Sequence, residues 1–129
     1  MIVSTGIDIV EVGRMRDVLA RTPRFRARVF TERERGYCDA RGAAAAQHYA
    51  ARFAAKEAAL KALGTGWSGG VGWRDVEVVN DPSGRPELVL SGTALELFRL
   101  SGATRAHLSL THTAEHAVAH VLLERGGDV

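Results

Sequence analysis

Between residues 43 and 63 alanine, the strongest helix former, dominates the chain, and Gly64-Thr65-Gly66 then ends the run. One long helix is therefore the largest element that a fold of this sequence has to accommodate. With 129 residues there is chain for one compact domain with one core, residues 1–129, and too little for two. The helix must be covered by the short elements on either side of it.

Those elements are legible from their periodicity. Residues 2–10 are apolar and β-branched, with Ile7 and Ile9 on one side of a strand and Asp8 on the other. Val12, Met15, Val18 and Leu19 follow at helical spacing until Thr22-Pro23 breaks the pattern. Thr31-Glu32-Arg33-Glu34 has the form of a capping box that opens a short helix toward Ala40. After the long helix, residues 76–79 and 88–90 read as a hairpin through Asp81-Pro82-Ser83-Gly84. Ser91 is placed to cap a helix carrying Leu95, Phe98 and Leu100, and residues 107–110 and 117–123 read as two final strands around Thr111-His112-Thr113.

Composition removes several function classes. At 46% apolar and 25% charged residues the chain is an ordinary soluble one. No apolar run approaches the roughly 18 residues of a membrane span, and the first eight residues lack the basic flank and apolar block of a signal peptide, so a cytoplasmic protein without membrane partners is expected. The single Cys38 excludes an internal disulfide and any multi-cysteine metal site.

The formal net charge of +2 conceals an asymmetry: residues 1–66 carry 12 Lys/Arg against 7 Asp/Glu, and residues 67–129 carry 5 against 8. The excess lies in Arg14, Arg16, Arg21, Arg24, Arg26 and Arg28, which meet only Asp17. Such a segment is either a solvated basic face or a docking surface for something acidic: nucleic acid, an anionic membrane or an acidic protein.

Chemistry-bearing residues stand out where they interrupt apolar patterns. Asp8 sits in an apolar strand, and an ionised carboxylate there needs a cation or several donors to offset its desolvation. On the long helix, Phe53, Glu57, Leu60, Lys61 and Gly64 share one face by the helical step. Glu57 and Lys61 make an i, i+4 pair that would be unremarkable on an exposed face. On an apolar face, Asp8 and Glu57 brought together could instead hold a hard cation such as Mg²⁺, with Lys61 serving a phosphate and Arg52 and Lys56 adding positive charge beside it. His112, between two threonines at a strand end, suits a phosphate donor, while His107, His116 and His120 read as ordinary strand or loop residues. The string His112-Thr113-Ala114-Glu115-His116 matches the H-x-x-E-H pattern of inverted zinc peptidases, but that pattern works on a helix and strand is expected here.

Three motifs together carry a resemblance that spans nearly the whole chain. Gly6-Ile7-Asp8-Ile9-Val10-Glu11, Arg52-Phe53-Ala54-Ala55-Lys56-Glu57-Ala58 with Lys61-Ala62-Leu63-Gly64-Thr65-Gly66, and Leu108-Ser109-Leu110-Thr111-His112-Thr113 resemble the holo-[acyl-carrier-protein] synthases. These are the small, single-domain branch of the 4'-phosphopantetheinyl transferase superfamily. The resemblance implies an α+β fold, a small antiparallel sheet packed on a long helix, assembled as a homotrimer with active sites between neighbours. It implies transfer of 4'-phosphopantetheine from coenzyme A to a serine of apo acyl carrier protein, releasing adenosine 3',5'-bisphosphate, in support of fatty acid or polyketide biosynthesis. Asp8 and Glu57 are then the Mg²⁺ ligands, and Lys61 faces the coenzyme A phosphates. Arg52, Gly64, His112 and the turn Ser83-Gly84-Arg85-Pro86 lie at the nucleotide, Arg85 standing for the family's usual lysine. Arg14, Arg21, Arg24 and Arg28 dock the acidic carrier protein. Trp67 and the glycines after it depart from the aliphatic residues usual in that loop.

Two readings from other classes stand beside this one. A nucleic-acid binder would use the arginines but leave Asp8 and Glu57 unexplained, and it lacks an aromatic platform for base stacking. A small Mg²⁺-dependent nucleotide hydrolase would use the same carboxylates and Lys61 with no protein acceptor.

Overall fold

The computed structural model describes residues 1–64 and 70–126. In chain order the elements are β1 (Ile2–Glu11), α1 (Val12–Arg21), α2 (Phe25–Val29), α3 (Glu32–Asp39), a 3₁₀ turn (Gly42–Ala44), α4 (Ala45–Leu63), a second 3₁₀ turn (Trp73–Asp75), β2 (Val76–Asn80), β3 (Pro86–Leu90), α5 (Gly92–Leu100), β4 (Arg105–His112) and β5 (His116–Glu124). β5 lies between β1 and β4, antiparallel to both, and β2 pairs antiparallel with β3 in a separate ribbon. One face of the three-stranded sheet packs on α4, which is the α+β architecture expected from the sequence.

The alanine run does more than favour a helix. Ala54, Ala55, Ala58, Ala59 and Ala62 are all buried against a sheet face whose central strand contributes Ala117, Ala119, Val121 and Leu123. Small side chains on both partners let the two backbones approach closely. At Gly6 of β1 the approach is so tight that a Cβ would overlap the Ala58 carbonyl oxygen and crowd the Ala62 nitrogen, and Ser4 Oγ donates to the Ala62 carbonyl at 2.6 Å. The helix ends at Gly64, whose φ of 80° is the left-handed conformation that glycine adopts without strain.

A second core lies among α1, α2, α3 and the start of α4, built on Phe30 and Tyr49, whose rings meet edge to face at 4.8 Å. This core explains α2, which follows the Thr22-Pro23 break and has no helical pattern of its own in the sequence. Five residues are too few for an isolated helix, but Phe25 reaches Phe30 at 6.1 Å and Phe53 at 5.9 Å between ring centroids. Packing holds a turn of helix that propensity alone does not. The other elements fall where periodicity places them, each within a few residues. The capping box at Thr31 is present, with Thr31 N donating to Glu34 Oε1 at 2.9 Å and Glu34 N to Thr31 Oγ1 at 3.2 Å. Ser91 takes the position before α5, but its side chain makes no capping hydrogen bond.

Candidate active site

β1 and α4 together position two carboxylates and a lysine. Asp8 lies on the face of β1 that meets α4, one strand step beyond Gly6, so the close packing at Gly6 brings its side chain to the helix. Lys61 Nζ donates to Asp8 Oδ1 and to the Ile7 carbonyl, both at 2.9 Å. The Asp8 side chain is 13% exposed and that of Lys61 54%, so the pair stands at the rim of the protein. Among the described residues no ion pair joins Glu57 to Lys61, which removes the ordinary helical pair as the explanation of Glu57. Glu57 is half-buried, and its carboxyl is pushed above the usual range first by burial and then by the negative charge of Asp8, against the opposing pull of Lys61.

Two carboxylates thus line one cleft, and Glu57, held next to the charge of Asp8, has no cation of its own among the ion pairs of the described residues. That is the donor set expected for Mg²⁺, which takes one or two protein carboxylates and completes its octahedron with water and substrate phosphate oxygens. Asp8 and Glu57 would hold it. Among the described residues no group of three or more His, Cys, Asp or Glu forms a richer metal site. In particular His112 and His116 sit on opposite strands of the β4–β5 hairpin, so the H-x-x-E-H string has no helix to present it.

The cleft beside this pair encloses about 500 Å³. Asp8 and Glu57 lie in its wall, with an apolar lining from Ile9, Met15, Val18, Phe25 and Phe53, and Arg14 at its edge. Arg14, Arg21, Arg24 and Arg28 are all exposed, on α1, on α2 and on the segment between them. Arg14 is only loosely engaged, with Glu11 at 4.0 Å, whereas Arg26 is half-buried and turned toward Asp39 at 3.8 Å. The four arginines of the expected docking set are thus all exposed, and Arg14 among them lies at the cleft.

The residues expected at a nucleotide form a second group. Arg52 is 2% exposed, donates from Nη2 to Asn80 Oδ1 at 2.6 Å and lies over the Tyr37 ring at 4.0 Å. Asn80 Nδ2 in turn donates to the Gly84 carbonyl at 3.0 Å, tying Arg52 to the β2–β3 turn that holds Ser83, Gly84, Arg85 and Pro86. Asp81 stiffens this turn by accepting from Ser83 Oγ at 2.5 Å, Arg85 N at 2.9 Å and Ser83 N at 2.8 Å, and these bonds, that of the Ser83 hydroxyl first, hold its carboxyl below the usual range. His112 ends β4 with its ring 5.1 Å from His48 of α4. Asn80, Tyr37 and His48 carry no motif, and sequence reasoning missed all three.

The two groups do not meet within one chain. Residues 52 and 57 are about 140° apart around a helix of 3.6 residues per turn, so Arg52 and Glu57 face different sides of α4. Two further sequence expectations are corrected here. Lys56 does not add charge to the Glu57 face: it is fully buried, paired with Glu34 at 2.8 Å, and its Nζ donates to the Trp73 and Val76 carbonyls at 3.1 and 2.5 Å. Leu60, 2% exposed, belongs to the core and not to the site face. Gly64 lies one turn beyond Lys61 at the end of α4, and Trp67 lies outside the described residues.

A family model of the 4'-phosphopantetheinyl transferase superfamily matches residues 4–121. The holo-[acyl-carrier-protein] synthase of Koribacter versatilis is 51% identical, with 96% of this chain and 99% of that protein covered. That of Anaeromyxobacter sp. (strain K) is 53% identical over 98% and 99% of the two chains. Among solved structures, a holo-(acyl-carrier-protein) synthase from Bacillus anthracis in complex with CoA (3',5'-ADP) superposes with a TM-score of 0.80 at 40% identity, covering 98% of this chain and 99% of that one. The enzyme from Neisseria meningitidis gives 0.84 at 31% identity, covering 97% and 100%. Motif order, fold and relatives agree, and the chain belongs to the holo-[acyl-carrier-protein] synthases of the 4'-phosphopantetheinyl transferase superfamily.

Proposed function

We propose that this chain transfers 4'-phosphopantetheine from coenzyme A to a serine hydroxyl of apo acyl carrier protein, releasing adenosine 3',5'-bisphosphate, with Mg²⁺ as cofactor. The observation that carries the reading is the Asp8–Glu57 pair beside Lys61, at a cleft with Arg14 at its edge, in a chain of this family. Asp8 and Glu57 would hold the cation, which would supply positive charge against the negative charge that builds up on the leaving phosphate. Lys61 keeps a positive charge at the rim, where a substrate phosphate can exchange for Asp8 as its partner. The apolar cleft wall seats the less polar parts of the two substrates and excludes water from the attacked phosphorus. Arg14, Arg21, Arg24 and Arg28 steer the acidic carrier to that cleft.

Assembly as a homotrimer belongs to the same reading. The sheet face away from α4 leaves Ile7 and Ile9 60% and 63% exposed, an apolar surface suited to a second copy. The separation of Arg52, His112 and the Ser83–Pro86 turn from Asp8 and Glu57 is a further support, because a cleft completed by a neighbour would unite them. The product, holo acyl carrier protein, would serve fatty acid or polyketide biosynthesis in the cytoplasm.

The test is direct. The chain is incubated with coenzyme A, Mg²⁺ and an apo carrier protein, and the carrier is weighed by mass spectrometry. A gain of one phosphopantetheine supports the reading. Consumption of coenzyme A with no gain in carrier mass points instead to a nucleotide hydrolase and overturns it.

A further inference from the structure

His48 of α4 stands among cations. The Tyr37 ring of α3 carries two guanidiniums over it, Arg41 at 3.9 Å and Arg52 at 4.0 Å from the ring centroid, and meets the His48 ring edge to face at 5.6 Å. His48 also meets the His112 ring at 5.1 Å. The charges that act on His48 are those of His112, Arg52 and Arg41, and no carboxylate of the described residues is among them. Arg52 is 2% exposed, and its Nε is buried with no hydrogen-bond partner, although Nη2 is held by Asn80.

The contrast with Lys56 is instructive. That ammonium is also buried, but one carboxylate and two carbonyls satisfy it. Around His48 two guanidiniums and two imidazoles gather with a donor left over, an arrangement that costs free energy until an anion completes it. Burial first, and then the neighbouring cations, hold the His48 imidazolium below its ordinary pKa of about 6.5, so the neutral ring prevails near pH 7. An anion among these groups reverses the sign of the local field and favours the protonated ring.

We propose that His48 is a binding residue for a phosphate-bearing ligand, which it meets together with Arg52 and His112, and that it takes up a proton as the anion arrives. The inference rests on the reading above, in which a coenzyme A-type substrate reaches Arg52 and His112, and adds to it a residue that makes capture proton-linked. Affinity for the nucleotide then rises as pH falls toward 6 and loses its dependence on His48 well above the ordinary histidine value of about 6.5.

Calorimetric titration of the full chain with coenzyme A in the presence of Mg²⁺, at pH 6.5 and 8.5 and in two buffers of different ionisation enthalpy, counts the protons taken up. His48→Phe keeps the ring contacts and removes the titrating group. The ligand's own phosphomonoester, with a pKa of about 6, contributes equally to both proteins and cancels in the difference. The parent should take up more protons than the variant at pH 6.5 and bind roughly 2- to 4-fold more tightly there, as about one pKa unit of upward shift from a value below 6.5 would give. At pH 8.5 the two should bind alike. Should the variant fold poorly, NMR titration of the His48 ring in the parent, with and without adenosine 3',5'-bisphosphate, reads the same quantity, and an upward move of the midpoint is expected. Equal proton counts in parent and variant, or an unmoved His48 midpoint with the nucleotide bound, would overturn the inference. Proton-linked binding without transfer to a carrier sinks the proposed function and leaves this inference standing; transfer with His48-independent binding does the reverse; failure to bind either nucleotide sinks both.

Discussion

Gly6 of β1 lies directly against the backbone of Ala58 in α4, so that no side chain can be placed between them. This contact sets the distance between strand and helix, and with it the distance from Asp8 to Glu57 and Lys61. Gly6→Ala would put a methyl group into the Ala58 carbonyl, a clash with backbone that no rotamer relieves. Overpacking of this kind costs about 1–3 kcal/mol or more. A fall in Tm of at least about 5 °C is expected, together with loss of transfer activity; a variant with the parent's Tm and activity would show that the approach does not govern the site.

Burial, and after it the negative charge of Asp8, disfavour the ionised carboxylate of Glu57. Its pKa is raised in the folded state, so the folded state binds more protons than the unfolded one between the two values, and stability falls as pH rises through that window. Glu57→Gln should therefore melt above the parent at pH 7 in the presence of a chelator, with the gain shrinking as pH is lowered below the carboxylate range, while transfer is abolished. An unchanged or lower Tm at pH 7 would mean that burial and the Asp8 charge are already compensated.

Lys56 is predicted to be a structural residue in spite of its place next to Glu57. It joins α4 to α3 through Glu34 and to the 3₁₀ turn and β2 through the Trp73 and Val76 carbonyls, while Glu34 also accepts from Val78 N at 2.9 Å. Lys56→Met strands a buried carboxylate and should cost about 3–5 kcal/mol in denaturant unfolding. Adding Glu34→Gln removes the stranded charge and keeps an acceptor for Val78 N, so the double variant should recover part of that loss. A single variant as stable as the parent would refute the assignment.

Reversing charge at Arg14 and Arg24 tests docking. Both are exposed, and Arg14 edges the cleft, so Arg14→Glu and Arg24→Glu should raise KM for the carrier protein with little effect on KM for coenzyme A. Added salt should weaken carrier binding in the parent. Equal effects on both substrates would place these arginines at the nucleotide.

Separation of the Arg52 group from the Asp8–Glu57 pair predicts complementation. Mixing Glu57→Ala with His112→Ala, each inactive alone, should restore part of the activity if neighbours complete one another's sites, since some interfaces in a mixed trimer are intact on both sides. Light scattering and subunit exchange by labelling accompany the assay. An active monomer, or no recovery despite proven exchange, would count against a shared site.

Much of this protein is written locally. The strands, the long helix and the Thr31 capping box follow from spacing and propensity, because these depend on neighbours a few residues away. Asp8 and Glu57 were legible for a related reason: each breaks an apolar pattern, and a charge in such a place needs a partner. Tertiary structure alone decided which partner each charge found. Arg52, Lys56 and Lys61 look alike in sequence, yet one is drawn to Asn80 and Tyr37, one is buried against Glu34, and one reaches Asp8. A helical step says which residues share an azimuth, but not which azimuth the sheet, α3 or solvent will cover. Likewise Asn80, Tyr37 and His48 acquire meaning only when the β2–β3 turn, α3 and β4 converge on α4, because their interactions join segments far apart in the chain, and long-range contacts of this kind leave no periodic trace in the sequence.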